Sequence, residues 1–265
     1  MFHVKHLGVF KEKKMKEFIN NEFLKYDIHL NKEQIEKFDL YLNYLLEENE
    51  KINLTAITDK KEIVIKHFID SVLPYKLFKE KSTIVDIGAG AGFPSVPLMI
   101  IRPDLKFLIL DSVNKKVEFI KRVCEKLNLR NCEILHSRCE DLAKNPKYRE
   151  KYDYCIARGV ANLSSLLEYC AGFVKMGGQI IAYKSRNYQN EIEGSKNTIK
   201  ILNLKLNDTK QYVLDGSVFE NSLEKSENEL NDSVMERYML IFDKCDKLLD
   251  KYPRLQNKVR TNPLN

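Results

Sequence analysis

An acidic residue followed by three alternating glycines is the stretch whose residue types and spacing point most directly to chemistry. The four residues are Asp86, Gly88, Gly90 and Gly92. Glycines leave the backbone free of side chains, so a ligand can approach it closely. A dinucleotide loop, G-x-G-x-x-G, would need a glycine where Phe93 stands, and a phosphate loop would need Gly-Lys followed by Ser or Thr. Because the carboxylate of Asp86 would also repel a pyrophosphate, the stretch is predicted to bind a cationic ligand without phosphate.

A parallel sheet is needed to position this loop. From residue 82 onward, short apolar runs alternate with helix-length segments, and the runs are STIVDI, KFLILD, CEILHS, DYCIA and QIIAYK. This alternation predicts parallel strands with crossover helices, and ligands bind beyond the carboxyl ends of such strands. An apolar run at 202–214 is followed by a predicted loop at 215–233 and a final strand, RYMLIFDK. Before the sheet, the apolar spacing in residues 31–48 predicts an amphipathic helix capped by Asn31.

The composition limits the class of protein. The 265 residues are 43% hydrophobic and 31% charged, which is enough to bury one α/β core. No apolar stretch approaches the roughly 20 residues of a membrane span, and the N terminus lacks the apolar centre of a signal peptide, so we expect a cytoplasmic protein. The six cysteines form no C-x-x-C pair, which favours reduced thiols over disulfides or a metal site. The net charge of +6 is compatible with a polyanionic partner.

The sequence D-x-G-x-G-x-G after a first strand resembles the binding loop of class I S-adenosylmethionine methyltransferases. The second strand ends in Asp111, where these enzymes place an acid that accepts hydrogen bonds from both ribose hydroxyls. The third strand is followed by Cys139 and Glu140, where the class lays backbone and an acid beside the adenine. The alternative interpretation is that the glycines form only a tight turn and that Asp111 caps a helix.

Two missing motifs narrow the range of possible methyl acceptors. Enzymes of this fold that methylate exocyclic amines usually carry Asn/Asp-Pro-Pro-aromatic after the fourth strand, where this chain has ARGV. Enzymes that methylate pyrimidine carbon commonly use a cysteine after proline, and the chain contains no Pro-Cys. An acceptor with a free lone pair remains, such as guanine N7, which needs no catalytic base. Catalysis then reduces to holding nitrogen, methyl and sulfur in line.

The full set of motifs resembles the RsmG family of bacterial ribosomal RNA guanine-N7 methyltransferases, also called glucose-inhibited division protein B. The motifs are KINLTAIT at 51–58, HFIDS at 67–71, DIGAGAGFPSVPL at 86–98, ILDS at 109–112, ARGVA at 157–161 and YPR at 252–254. The resemblance implies S-adenosylmethionine as the cofactor and 7-methylguanosine in small-subunit (16S) ribosomal RNA as the product. It also implies a Rossmann-like fold with a mostly parallel seven-stranded sheet, helices on both faces and additional N-terminal helices.

The resemblance also implies roles for individual residues. Gly88 and Phe93 would touch the cofactor, Cys139 and Glu140 would line its adenine side, and Arg158 would lie between cofactor and target base, where it can position the target. Phe93 can equally be a core residue. The domains expected are a disordered extension at 1–14, a helical segment at 15–60 that packs on the core, a methyltransferase domain at 61–250 and a basic tail at 251–265.

RNA binding is predicted for basic residues near the open end of the sheet, where they can neutralise phosphates. They are Lys184, Arg186, Arg254, Lys258 and Arg260. Asn53 and His67 lie in family signature stretches and are also assigned to RNA. The alternative interpretations are a solvated basic surface, a turn cap for Asn53 and a satisfied core histidine for His67.

The predicted protein is therefore a monomeric methyltransferase that acts on small-subunit ribosomal RNA or on a ribosomal assembly intermediate. Two alternatives remain open. One is a methyltransferase for a small molecule, which scattered basic residues and a closed pocket would favour. The other is a non-catalytic module that binds adenosine cofactors.

Overall fold

The computed structural model describes residues 2–216 and 234–264, and for residues 2–12, 256 and 257 it describes the backbone alone. Most of the loop predicted at 215–233 therefore lies outside the described residues.

Helices flank the sheet and precede it. The helices, in chain order, are α1 (Phe2–Leu24), α2 (Lys32–Asn49), α3 (Lys60–Ile63), α4 (Asp70–Val72), α5 (Ser95–Ile101), α6 (Asn114–Lys126), α7 (Cys139–Leu142), α8 (Leu163–Ala171), α9 (Tyr188–Glu193), α10 (Lys196–Ile201) and α11 (Gln256–Thr261). A π-helical segment, Val64–Ile69, joins α3 to α4, and a 3₁₀ turn, Tyr75–Leu77, follows α4. Within the described residues, no helix combines the length and apolar character needed to cross a membrane.

Seven strands form one sheet. They are β1 (Thr83–Ile87), β2 (Lys106–Asp111), β3 (Cys132–His136), β4 (Tyr152–Arg158), β5 (Val174–Lys184), β6 (Leu204–Asp215) and β7 (Val234–Lys244). Their order is β3-β2-β1-β4-β5-β7-β6, with β1 to β5 parallel and β7 antiparallel to both of its neighbours, β5 and β6. The strand order reverses between β1 and β4, so a ligand crevice is expected beyond their carboxyl ends. The predicted mostly parallel seven-stranded sheet is confirmed.

Side chains of β1 alternate between the two faces of the sheet, and each face has its own core. Ile84 belongs to the core shared with α1, α2, α5 and α6, whereas Val85 and Ile87 belong to the core shared with α8. Asp86 lies on the same face as Ile84 and is fully buried. The alternation therefore directs the loop's acidic side chain under α5 and not into the crevice.

The N-terminal helices contribute to the first core. Asn31 caps α2 as predicted, and it forms a capping box with Gln34. Helix α1 begins at Phe2, so residues 2–14 are helical in the structure and differ from the expected disordered extension. Residues 2–14 contain no proline and one glycine, which allows the helix to extend towards the terminus.

Candidate active site

A cavity of about 380 Å³ lies at the carboxyl ends of the central strands. This volume is in the range of small-molecule sites. Its wall includes four of the predicted cofactor residues, which are Gly88, Asp111, Cys139 and Glu140. The other five predicted cofactor residues do not line it, and they are Asp86, Gly90, Gly92, Phe93 and Arg158. The structure therefore brings together the residues assigned to the ribose and the adenine.

The glycine loop closes tightly over the end of β1. Gly88 has a φ of +66°, and a Cβ atom there would lie 2.9 Å from Cγ2 of Val160 in the opposite wall. Gly92 has a φ of +95°, and its Cβ would lie 2.7 Å from Cγ2 of Val96. Side chains are strained at such φ values, so both positions favour glycine. Gly88 itself is solvent-exposed, which leaves its backbone accessible to a ligand.

Asp111 links the glycine loop to the second strand. Its Oδ2 accepts a hydrogen bond from the Gly90 amide at 2.9 Å, and its Oδ1 accepts one from the Val113 amide at 2.8 Å. Helix α6 has Val113 as its N-cap, so Asp111 is not the cap residue that the alternative interpretation required. Each carboxylate oxygen has a further acceptor site. The pair of oxygens can therefore receive two ribose hydroxyls.

Asp111→Ala is expected to weaken the binding of S-adenosylmethionine by about 1–3 kcal/mol, because two hydrogen bonds to a charged acceptor are lost. Isothermal titration calorimetry measures the change. Asp104→Ala is the control, since Asp104 precedes β2 at the opposite end of the sheet and pairs with Arg102. Equal affinity in wild type and Asp111→Ala would remove Asp111 from the site.

Glu140 lines the cavity and has a buried carboxylate oxygen without a hydrogen-bond partner among the described residues. Its side chain is buried, its Oε2 accepts from the Cys139 thiol at 3.3 Å, and its Oε1 has no partner among the described residues. A buried polar atom without a partner is costly. A contact between Glu140 and the adenine stays a prediction. Burial raises the pKa of the Cys139 thiol well above its ordinary value, so this cysteine is a neutral donor and not a nucleophile.

Asp86, at the end of β1, is hydrogen-bonded to the start of α5 on the far side of the glycine loop. Its Oδ2 accepts hydrogen bonds from the amide and the hydroxyl of Ser95, the first residue of α5. Burial raises the pKa of Asp86 to about 8. The carboxyl group is therefore mostly protonated at neutral pH, and a direct contact between Asp86 and a cationic ligand stays a prediction.

Asp86→Asn is expected to change the pH dependence of stability. The folded state keeps the proton on Asp86 up to about pH 8, whereas the unfolded chain releases it near pH 4. This stabilisation is complete below about pH 4 and is lost as the pH rises towards 8, at up to about 1.4 kcal/mol per pH unit. Asparagine does not ionise, so the stability difference shifts in favour of the variant over this range. Urea unfolding across the range measures the shift, and parallel curves would contradict it.

A second cluster, the Arg158 cluster, lies beside the cavity and consists of Asp70, Arg158, Arg237, His67 and Phe93. Arg158 Nη1 and Arg237 Nε donate to different oxygens of buried Asp70, at 2.8 and 3.1 Å. The Arg158 guanidinium also lies 5.0 Å from the centroid of the Phe93 ring. His67 also stacks on the Phe93 ring, at 4.6 Å between the ring centroids. The guanidinium of Arg158 is therefore held in place by the carboxylate of Asp70 and the rings of Phe93 and His67.

His67 is held as a neutral imidazole. Burial, followed by the nearby charge of Arg158, lowers the pKa of His67 to about 3. Its Nδ1 lies 3.3 Å from Arg158 Nη2, and its Nε2 lies 2.7 Å from the hydroxyl of Thr55. Arginine only donates, so Nδ1 must accept and Nε2 must carry the proton. Both nitrogens are engaged, as expected for a satisfied core histidine.

The seven residues predicted to bind RNA differ in their surroundings. Asn53, Lys258 and Arg260 are exposed, and Arg260 lines the cavity. Arg186 is exposed but pairs with Glu236 at 3.0 Å. The remaining three have internal partners, and they are His67, Lys184 with Glu191, and Arg254 with Glu168. RNA contacts by these residues stay predictions.

Three residues of the site were missed by sequence reasoning. Asp70 lies within the HFIDS motif, so its position was marked without a role. Arg237 lies in the last strand, where the pattern marks only a strand. Tyr41 donates its hydroxyl to the Ala91 carbonyl and joins α2 to the glycine loop, although helical spacing identifies it only as apolar.

The strand order, the glycine loop after β1 and the acid at the end of β2 that accepts a hydrogen bond from this loop together define a class I S-adenosylmethionine-dependent methyltransferase. The chain belongs to the family described as rRNA small subunit methyltransferase G, whose model matches residues 34–216.

Two curated relatives agree with this family. Ribosomal RNA small subunit methyltransferase G of Acetivibrio thermocellus is 39% identical over 255 residues, covering 96% of this chain and 98% of that protein. The protein of the same name from Clostridium beijerinckii is 41% identical over 239 residues, covering 89% and 93%. The solved YcgJ protein of Bacillus subtilis is 12% identical with a TM-score of 0.49, covering 68% of this chain and all of that chain.

Proposed function

We propose that this protein methylates N7 of a guanine in small-subunit (16S) ribosomal RNA, with S-adenosylmethionine as the methyl donor. The curated relatives, at 39 to 41% identity over most of their length, carry the name ribosomal RNA small subunit methyltransferase G. The name supports the RNA substrate, and the chemistry of the site supports the acceptor atom.

The observation that carries the proposal is that the titratable side chains of the Arg158 cluster already have hydrogen-bond or ionic partners. His67 is neutral with both nitrogens occupied, and Asp70 is held between two arginines. These groups are poorly placed to remove a proton from the acceptor. An acceptor that already carries a lone pair, such as guanine N7, needs no such group.

The cofactor supplies a methyl group on a sulfonium, which is electrophilic without further activation. Asp111 and Glu140 are suited to hold the ribose and the adenine, and the glycine loop offers its backbone between them. Arg158, fixed by Asp70 and Phe93, is suited to position the target base beside the donor. Rate enhancement then comes from alignment of the reacting atoms.

The target guanine has to be single-stranded or flipped out to reach such a site. The exposed residues Asn53, Arg186 and Lys258 are proposed to contact the RNA around it. We further propose a monomeric cytoplasmic protein whose partner is small-subunit ribosomal RNA or a ribosomal assembly intermediate.

The test is methyl transfer from radiolabelled S-adenosylmethionine to ribosomal RNA and small subunits from a strain that lacks the gene. Nucleoside digestion and mass spectrometry identify the product, which is expected to be 7-methylguanosine at one position. RNA from the parent strain is the control, because its site is already methylated.

The other outcomes separate the alternative functions. Label in a small-molecule extract, with none in RNA, would indicate a small-molecule methyltransferase. Binding of S-adenosylhomocysteine without transfer to either pool would indicate a binding module. Label on an exocyclic amine or a ring carbon would overturn the choice of N7.

A further inference from the structure

The C-terminal helix α11 forms part of the cavity wall through Arg260. Arg260 lines the cavity together with Ser165 and Tyr169 of α8. Lys258 lies on the same helix and is also exposed, but it does not line the cavity. Both basic residues were predicted to bind RNA, but only Arg260 lies in the cavity wall.

Specific contacts fix this part of the tail on α8. Glu168, whose side chain is 1% exposed, accepts from Nε and Nη2 of Arg254 at 3.0 and 2.8 Å, and from the Arg254 amide at 2.8 Å. The hydroxyl of Ser165 donates to the carbonyl of Val259 at 3.0 Å, and the Val259 side chain is fully buried. Arg260 therefore follows directly after an anchored residue, so its place in the wall is built into the fold.

Arg260 lines the same cavity as Cys139, Glu140 and Tyr169. The proposed function places Glu140 beside the adenine, so a purine bound there lies in the cavity that Arg260 lines. A planar guanidinium stacks well on a flat aromatic ring.

We propose that Arg260 is a cofactor-binding residue that contacts the adenine ring of S-adenosylmethionine, and that the C-terminal segment 252–264 is part of the cofactor site. The anchored tail then has a role in the absence of RNA. The inference rests on the cofactor of the proposed function and does not depend on which RNA atom is methylated.

The test is the affinity of the full chain for S-adenosylhomocysteine, measured by calorimetry without RNA. Arg260→Ala is expected to weaken binding about 3- to 30-fold, the range of a stacked guanidinium. Arg260→Lys keeps the charge and loses the planar group, so its affinity is expected to stay below that of wild type. Lys258→Ala is the matched control on the same helix, and its affinity is expected to equal that of wild type.

Unchanged affinity in both Arg260 variants, with normal binding by wild type, would overturn the inference. A loss confined to RNA affinity would return Arg260 to the RNA surface and overturn it as well. If wild type binds no S-adenosylhomocysteine, the cofactor assignment fails together with this inference. If the protein binds S-adenosylhomocysteine but does not methylate RNA, the calorimetric comparison of the Arg260 variants still tests this inference.

Discussion

Arg254→Ala is expected to lower the free energy of unfolding by about 3–5 kcal/mol, because it leaves the carboxylate of Glu168 buried without its charged partner. Glu168 lies on α8 with its side chain 1% exposed, and the Arg254 side chain donates three hydrogen bonds to its carboxylate. Urea unfolding of wild type and variant measures the loss. The effect is expected without RNA, although the sequence assigns Arg254 to RNA binding.

Arg186→Ala is the matched control for this prediction. Arg186 was also predicted to bind RNA, and it also pairs with a glutamate, but its side chain is 64% exposed. Exposed pairs contribute about 0–1 kcal/mol, so this variant is expected to unfold nearly as wild type does. Similar losses in both variants would contradict the assignment of the Arg254 pair as a buried one.

A double variant separates the pair from the surrounding packing. Replacing both partners, Arg254→Met with Glu168→Leu, removes the buried charge together with its partner, so most of the lost stability is expected to return. A residual loss of about 1 kcal/mol is expected, because the Arg254 amide also loses its acceptor. A double variant as unstable as Arg254→Ala would indicate that side-chain packing, and not the unpaired charge, causes the loss.

Local features of this fold were predictable from sequence. The cap at Asn31 depends on Gln34 three residues later, and the glycine loop depends on residues within one turn. Asp111 was predictable because it ends the second strand, and parallel strands bring their carboxyl ends to one edge. In each case the signal is a short spacing or a rule of sheet topology.

Pairs that are distant in the chain were not predictable from one sequence. Arg254 meets Glu168 across 86 residues, and Arg237 meets Asp70 across 167 residues. One sequence does not distinguish a basic residue that faces RNA from a basic residue that pairs with a buried carboxylate. The direction of Asp86 depended on which face of β1 the N-terminal helices cover, which the motif does not specify.

Arg158→Ala is expected to lower kcat for RNA methylation about 100-fold, because the group proposed to position the target base is lost. The affinity for S-adenosylhomocysteine is expected to change little, since Arg158 does not line the cavity. The fold is expected to lose less stability than in Arg254→Ala, because Asp70 keeps the ion pair with Arg237 at 3.1 Å. Single-turnover methylation and calorimetry measure the two effects separately.

The variant also has a spectroscopic signature at His67. Burial is the largest cause of the low pKa of His67 and the charge of Arg158 is the second, so removing the guanidinium is expected to raise this pKa. A titration of the imidazole by nuclear magnetic resonance detects the rise. If Arg158→Ala lost activity only through a structural change far from His67, the pKa of His67 would stay at about 3.

Arg237→Ala distinguishes positioning of the base from support of Asp70. It removes the other arginine from the same carboxylate and leaves Arg158 with its contacts to Asp70 and Phe93. Its kcat is therefore expected to fall less than that of Arg158→Ala. If the two variants lose activity equally, the two arginines act through Asp70 as one unit, and a direct role of Arg158 at the target base is contradicted. The ratio of the two kcat values thus measures how much of the effect belongs to Arg158 itself.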